Sequence, residues 1–186
     1  GGPVGAATLN APRGAAVDAD DNLWVTDRSN FRVLVFKKPF TQDANADLAL
    51  GQANLTSATV PASPSADAIF NPFGIAVDGP GNVYVADGGF DRVVVFQKPL
   101  ATGGGTPGTP GSKGDRTADR LFGKASFTTA SGCNQYNGSS VRNAQSLCGP
   151  SDVAVDASGS LWVVDPGSGN HRVLRFDAPL SGDDTA

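Results

Sequence analysis

Two cysteines, one histidine and a set of aspartates recurring at fixed offsets carry whatever chemistry this sequence could do. Cys133 and Cys148 are the only cysteines and bracket a polar loop of Asn, Gln, Ser and Gly. Such a loop has little apolar surface to keep itself closed, so a disulfide is expected. On the chain-entropy account, closing a loop of that length stabilises the fold by about 3 kcal/mol. Two unrelated buried thiols are the alternative; a metal pair would need further Cys or a suitable His. A disulfide implies an oxidising, extracytoplasmic setting and a secreted protein. Asn54-Leu55-Thr56 and Asn137-Gly138-Ser139 fit the Asn-x-Ser/Thr glycosylation pattern, and Thr106 and Thr109 each precede a Pro.

The catalytic search is mostly empty. A zinc hydrolase or lyase needs several His ligands, and the chain has only His171, in a variable slot before Arg172 where Phe31 and Asp91 stand elsewhere. A surface-loop histidine is therefore expected. Gly167-Ser168-Gly169 lies in a loop between two strands, whereas a nucleophile elbow needs a strand-to-helix turn. Gly103-Gly104-Gly105 lacks the Gly-Lys-Ser/Thr and helix of a phosphate cradle. No catalytic, metal or cofactor site is expected. Asp18, Asp78 and Asp156, with Asp27, Asp87 and Asp165, could line up carboxylates for Ca²⁺. Recurrence at strand ends favours turn capping instead, with Asp27/Arg32, Asp87/Arg92 and Asp165/Arg172 as one ion pair per repeat.

The elements that position these groups are repeats. Pro12 to Asp18, Pro72 to Asp78 and Pro150 to Asp156 align. Each is followed at one offset by a second run, Asn22 to Asp27, Asn82 to Asp87 and Ser160 to Asp165, and then by a third, Arg32 to Phe36, Arg92 to Phe96 and Arg172 to Phe176. These β-branched and aromatic runs, bounded by Gly, Asn and Asp, read as antiparallel strands. Trp24, Tyr84 and Trp162 share one repeat position and are expected between neighbouring sheets, although an aromatic row facing a groove could hold sugar rings. A fourth element, apolar-Gly-x-Ala-polar-apolar, recurs as Leu50 to Leu55 and Phe122 to Phe127. Val4, Gly5, Ala6, Ala7, Thr8 and Leu9 repeat it at the N-terminus. It is expected to be an outer strand.

Four-stranded antiparallel units in tandem imply an all-β fold, a β-propeller of three blades. The segments at 12 to 36, 72 to 96 and 150 to 176 resemble the NHL-repeat family, whose pattern is roughly Pro-x-Gly-(Ile/Val)-Ala-Val-Asp, Gly-Asn-(Leu/Ile)-Tyr-Val-Ala-Asp and Asn-x-Arg-Val. Departures are Asp152 in place of Gly, Phe90 in place of Asn, and two extra residues between Asp165 and Arg172. The resemblance implies half of a six-bladed ring or a segment of a longer array. The family offers scaffolds for peptide, protein, RNA or ligand binding and sometimes enzymes.

The repeats span approximately 4–39, 48–99 and 119–179, with surface loops at 56–68, 101–117 and 128–147 rich in Gly, Ser, Thr and Pro. With 14 basic against 18 acidic residues the net charge is −4, which argues against a nucleic-acid reader. No apolar run approaches the roughly 20 residues that cross a bilayer as a helix. The chain contains no Met, so a processed or partial product is expected. The function expected is a non-catalytic extracellular scaffold, adhesion or assembly module. Its partners would be other copies of itself or adjacent blades, or other proteins or glycans. The alternative is part of a propeller enzyme or ligand-binding protein whose reactive groups lie in other blades. In the assembly reading, Val4 to Leu9 of one chain completes the Pro150 to Phe176 blade of another by strand addition.

Overall fold

The computed structural model describes residues 3–39, 44–101, 114–130, 132–136 and 138–180. Its regular elements are eleven strands and three short 3-10 turns, in three separate antiparallel sheets. The first sheet holds β1 (Pro12–Val17), β2 (Leu23–Asp27), β3 (Arg32–Phe36) and β4 (Leu48–Leu50). The second holds β5 (Pro72–Val77), β6 (Val83–Asp87), β7 (Arg92–Phe96) and β8 (Arg120–Phe122). The third has β9 (Asp152–Val155), β10 (Leu161–Asp165) and β11 (Arg172–Phe176). In the first two sheets neighbours follow chain order; in the third β11 is an edge strand among the described residues.

Local chemistry sets each unit. Asp18 Oδ1 accepts the amides of Asp20 and Asn22, both at 3.0 Å, while Oδ2 accepts Trp24 Nε1 at 2.9 Å. Asp78 holds Asn82 and the Tyr84 hydroxyl in the same way, and Asp156 holds Ser158, Ser160 and Trp162. These carboxylates build the turn between first and second strands and orient its aromatic. Between second and third strands the chain makes a 3-10 turn and enters the third strand through a left-handed residue, Phe31, Asp91 or His171. The variable slot before each Arg is thus one fixed backbone geometry.

The fourth element departs from expectation. Only Leu50 and Phe122 of the two internal motifs belong to a strand, at its last position, and Gly51 (φ +83°) and Gly123 (φ +93°) turn the chain away. The strand follows its own triple, Val33 pairing Leu50 and Val93 pairing Phe122. Val4 to Leu9 forms a turn and no strand. It corresponds instead to the approach to the first strand, as in Ser65 to Ile69, because Arg32 binds the Gly5 and Thr8 carbonyls as Arg92 binds those of Ser65 and Ala68.

The sheets pack face to face. Trp24, Val33 and Leu50 meet Ile75, Val83 and Phe96 in one core, and Tyr84, Val93 and Phe122 meet Val153, Leu161 and Phe176 in the next. First strands approach so closely that a Cβ on Gly14 would lie 2.6 Å from the Phe73 carbonyl oxygen, and one on Gly74 2.6 Å from Asp152 Cα. Thr26 Oγ1 donates to the Phe73 carbonyl at 2.7 Å and the Gly74 amide to that of Ser151 at 3.1 Å, stitching sheet to sheet.

Candidate functional site

The charged residues that recur form a clamp in every sheet. Asp27, Asp87 and Asp165 are fully buried; one oxygen of each receives Arg Nε (2.7, 2.9 and 2.9 Å), and the other the amide of Asn10, Phe70 or Cys148. The guanidinium ends grip main-chain carbonyls: Leu55, Gly5 and Thr8 for Arg32; Phe127, Ser65 and Ala68 for Arg92; Asn143 and Ser146 for Arg172. Each clamp ties the chain entering a sheet, and in the first two sheets also the chain leaving it, to the sheet's own hairpin. Burial of a charge is sustained by this dense pairing. Asn30 and Asn170 add a donor to their aspartate, whereas Phe90 has none and lays its ring 5.1 Å from the Arg92 guanidinium. Burial pushes the Asp87 carboxyl up to about 6, with Asp91 reinforcing it and Arg92 opposing it.

A second polar cluster surrounds the bonded Cys133 and Cys148. Asp91 accepts the Gly132 and Gly149 amides, both at 2.8 Å, at the two ends of the stapled loop. Buried Lys124, its ammonium held below the ordinary range by desolvation, donates to the Gly132 carbonyl at 2.6 Å. Asn134 and Asn170 exchange side-chain hydrogen bonds beneath it, and Ser146 joins them. Asp91 lies beside both sulfurs, but sulfurs joined in a disulfide offer a metal no thiolate. The Gly167 amide donates to the Cys148 carbonyl at 3.0 Å, and a Cβ on Gly167 would strike that same oxygen, which accounts structurally for the first glycine of Gly167-Ser168-Gly169.

The other expected site residues fall apart from one another. His171 is exposed in its left-handed slot. Asn54 is exposed, its side-chain Oδ1 accepting the Thr56 amide and hydroxyl and the Ser57 hydroxyl. Asn137, Thr106, Thr109 and the Gly103 to Gly105 run lie outside the described residues. A cleft of about 200 Å³ separates the hairpin turns of the first two sheets at Asp18, Asp78 and Lys98. One of about 470 Å³ is lined by Gln52, Thr59, Asp67 and Arg116. Gln52 is engaged at both ends by Thr59 and Phe31. Asp78 likewise binds its own turn.

Apolar side chains also remain open at the two ends of the stack, with the Arg175 guanidinium lying over the Trp162 ring. Leu9, Val17, Trp162, Val164 and Val173 are exposed by 38 to 61%, on the two outward faces of the three-sheet stack. Trp24 and Tyr84, in the place of Trp162, are almost wholly buried between sheets. Sequence reasoning places the aromatic row between neighbours and does not foresee that its last member has none here. It also misses Asp91, Lys124 and Asn134, for which no repeat signal exists; Asn170, like Asn30, stands where the repeat pattern asks for Asn.

The family model for the NHL repeat matches residues 9–36 and 147–176, the strand triples of the first and third sheets. Two stretches of this chain match the NHL repeat. The second sheet, outside both matches, repeats their register and clamp. No curated protein sequence matches the chain significantly. Among solved structures, the hydrazine synthase of Kuenenia stuttgartiensis is similar over 91% of this chain and 33% of its own, with 12% identity and a TM-score of 0.55. A gluconolactonase from Xanthomonas campestris is similar over 93% of this chain and 46% of its own, with 18% identity and a TM-score of 0.52. The fold is β-propeller-like, and this chain spans less than half of either structure. At such identities the likeness concerns fold alone.

Proposed function

We propose that this chain is a non-catalytic structural framework of three propeller blades, half of a six-bladed ring or a segment of a longer array. It serves outside the cytoplasm as a binding and assembly module. The observation that carries the reading is the clamp: the Asp and Arg residues recurring in every sheet are consumed in gripping main-chain amides and carbonyls. Groups so engaged cannot turn over a substrate without dismantling the sheet. The disulfide around a polar loop supports the extracytoplasmic placement. Strand addition by Val4 to Leu9 is not part of this proposal, because Arg32 and the Ala46 amide of the same chain already bind its Gly5, Ala6 and Thr8 carbonyls.

The likeness to a gluconolactonase favours a second reading, part of a propeller enzyme, and supplies the test. Hydrolysis of δ-gluconolactone is followed with and without added Ca²⁺ or Zn²⁺. The framework reading expects the uncatalysed rate throughout. A rate above background that disappears on unfolding the protein overturns it.

A further inference from the structure

We propose that the outward face of the third sheet receives the first strand of a second copy of this chain, so that copies join head to tail. The proposal rests on the reading as an assembly framework and names its partner. Among the described residues, five of the seven exposed large hydrophobics stand on the two end faces, and each of the five occupies a position whose internal counterparts are packed between sheets. Trp162 corresponds to Trp24 and Tyr84, Val173 to Val33 and Val93, and Val164 to Thr26 and Ala86, all on the face turned toward the following sheet. Leu9 corresponds to Ile69 and Leu147, and Val17 to Val77 and Val155, on the face turned toward the preceding sheet. The two internal interfaces therefore specify the missing one: Leu9 and Val17 of the second copy seat against Trp162, Val164 and Val173, with the Arg175 guanidinium over the Trp162 ring where Val35 and Val95 are packed in the internal interfaces.

Charge says which sheet arrives. The strand β5 places Phe73 and Gly74 against Gly14, and β9 places Asp152 against Gly74. The same step once more places Arg13 and Gly14 of the second copy against Asp152. In the sequence this aspartate is the departure from the glycine of the repeat. Arg13 and Asp152 are both exposed, and Arg13 forms no ion pair among the described residues. A carboxylate at Asp152 suits a neighbour carrying guanidinium beside glycine, which the first strand of this chain carries. The centre of that face, at Val25, Leu34 and Phe36, is already closed with Ala46 and Ala49. The contact is therefore a strip along β1. Complementary ends on one chain either close on each other or propagate.

The test is mass by light scattering and sedimentation on the intact chain across about two decades of concentration. The expected result is a species of at least twice the chain mass. Trp162→Asp and Arg13→Asp should each weaken association at least tenfold while leaving the circular dichroism unchanged. Arg13→Asp combined with Asp152→Arg should restore it. A folded wild-type monomer at every concentration overturns the proposal, as does an assembly that neither Trp162→Asp nor Arg13→Asp weakens. An absence of lactonase activity bears only on the framework reading, so the two fail separately.

Discussion

The second and third sheets share strand register, turn chemistry and clamp, yet one is buried on both faces and the other on one. Tyr84 is 4% exposed and Trp162 40%, although each sits on its second strand with its polar end on the turn aspartate. Side-chain identity does not set that difference; a neighbouring sheet does. Burial in a stacked repeat belongs to the interface, so a terminal unit can keep its internal geometry while its outward face stays available.

Removing the clamp should separate the two sheets most strongly. Arg92→Ala leaves the carboxylate of Asp87 buried without its cation and should cost about 3–5 kcal/mol by urea denaturation. Arg172→Ala, whose side chain is 20% exposed, should cost less than half as much. An equal loss would mean the third clamp is as closed to water as the second. Replacing Cys133 and Cys148 together by Ser should remove about 3 kcal/mol. It should also raise amide exchange at Gly132 and Gly149, while the amides of the first sheet hold their protection. In the native protein, intact mass should rise by two hydrogens on reduction.

The glycine step gives a smaller and sharper contrast. Gly74→Ala pushes a Cβ into Asp152 of the next sheet and should cost about 1–3 kcal/mol, whereas Asp152→Ala should change the stability of the isolated chain by under about 0.5 kcal/mol. A further contrast is in pH. Because burial raises Asp87 in the folded state to about 6 from an ordinary 3.8, the folded protein binds that proton more tightly than the unfolded chain. Stability should therefore rise by about 1 kcal/mol as pH falls from 7 to 5. It should fall again below about 3.8, where the unfolded chain protonates Asp18 and Asp156 before the folded protein does. Desolvation raises Asp18, but hydrogen bonds from Asn22 and Trp24 outweigh it; Asp156 is held low chiefly by Ser158 and Trp162. Asp87→Asn should flatten the rise between pH 7 and 5, and an unchanged slope would assign it elsewhere.

The triples of strands, the Asp/Arg pairs and the turn aspartates are legible in the sequence because each answers to local spacing: an alternating pattern, a carboxylate one turn from its amides. The N-terminal hexapeptide Val4 to Leu9 is misread because its match to Leu50 to Leu55 is compositional. The feature that defines its role is the pair of carbonyls Arg32 grips, and every residue carries a carbonyl. Asp91 is hidden for a related reason: it occupies a slot held open to any residue that tolerates positive φ, and its work is set by a loop some forty residues later. Asp152 is visible as a departure, but its meaning requires the distance between β5 and β9.

Beyond their aspartate, the guanidinium clamps hydrogen-bond only to carbonyl oxygens of the peptide chain. A lock of that kind is blind to the identity of the residues it fastens. Between the anchored carbonyls of Leu55 and Ser65 the text of the loop can be rewritten without loosening its ends. Foreign segments grafted there should be displayed on a chassis that does not register the change, which makes this span the natural place for new recognition to be written into this molecule.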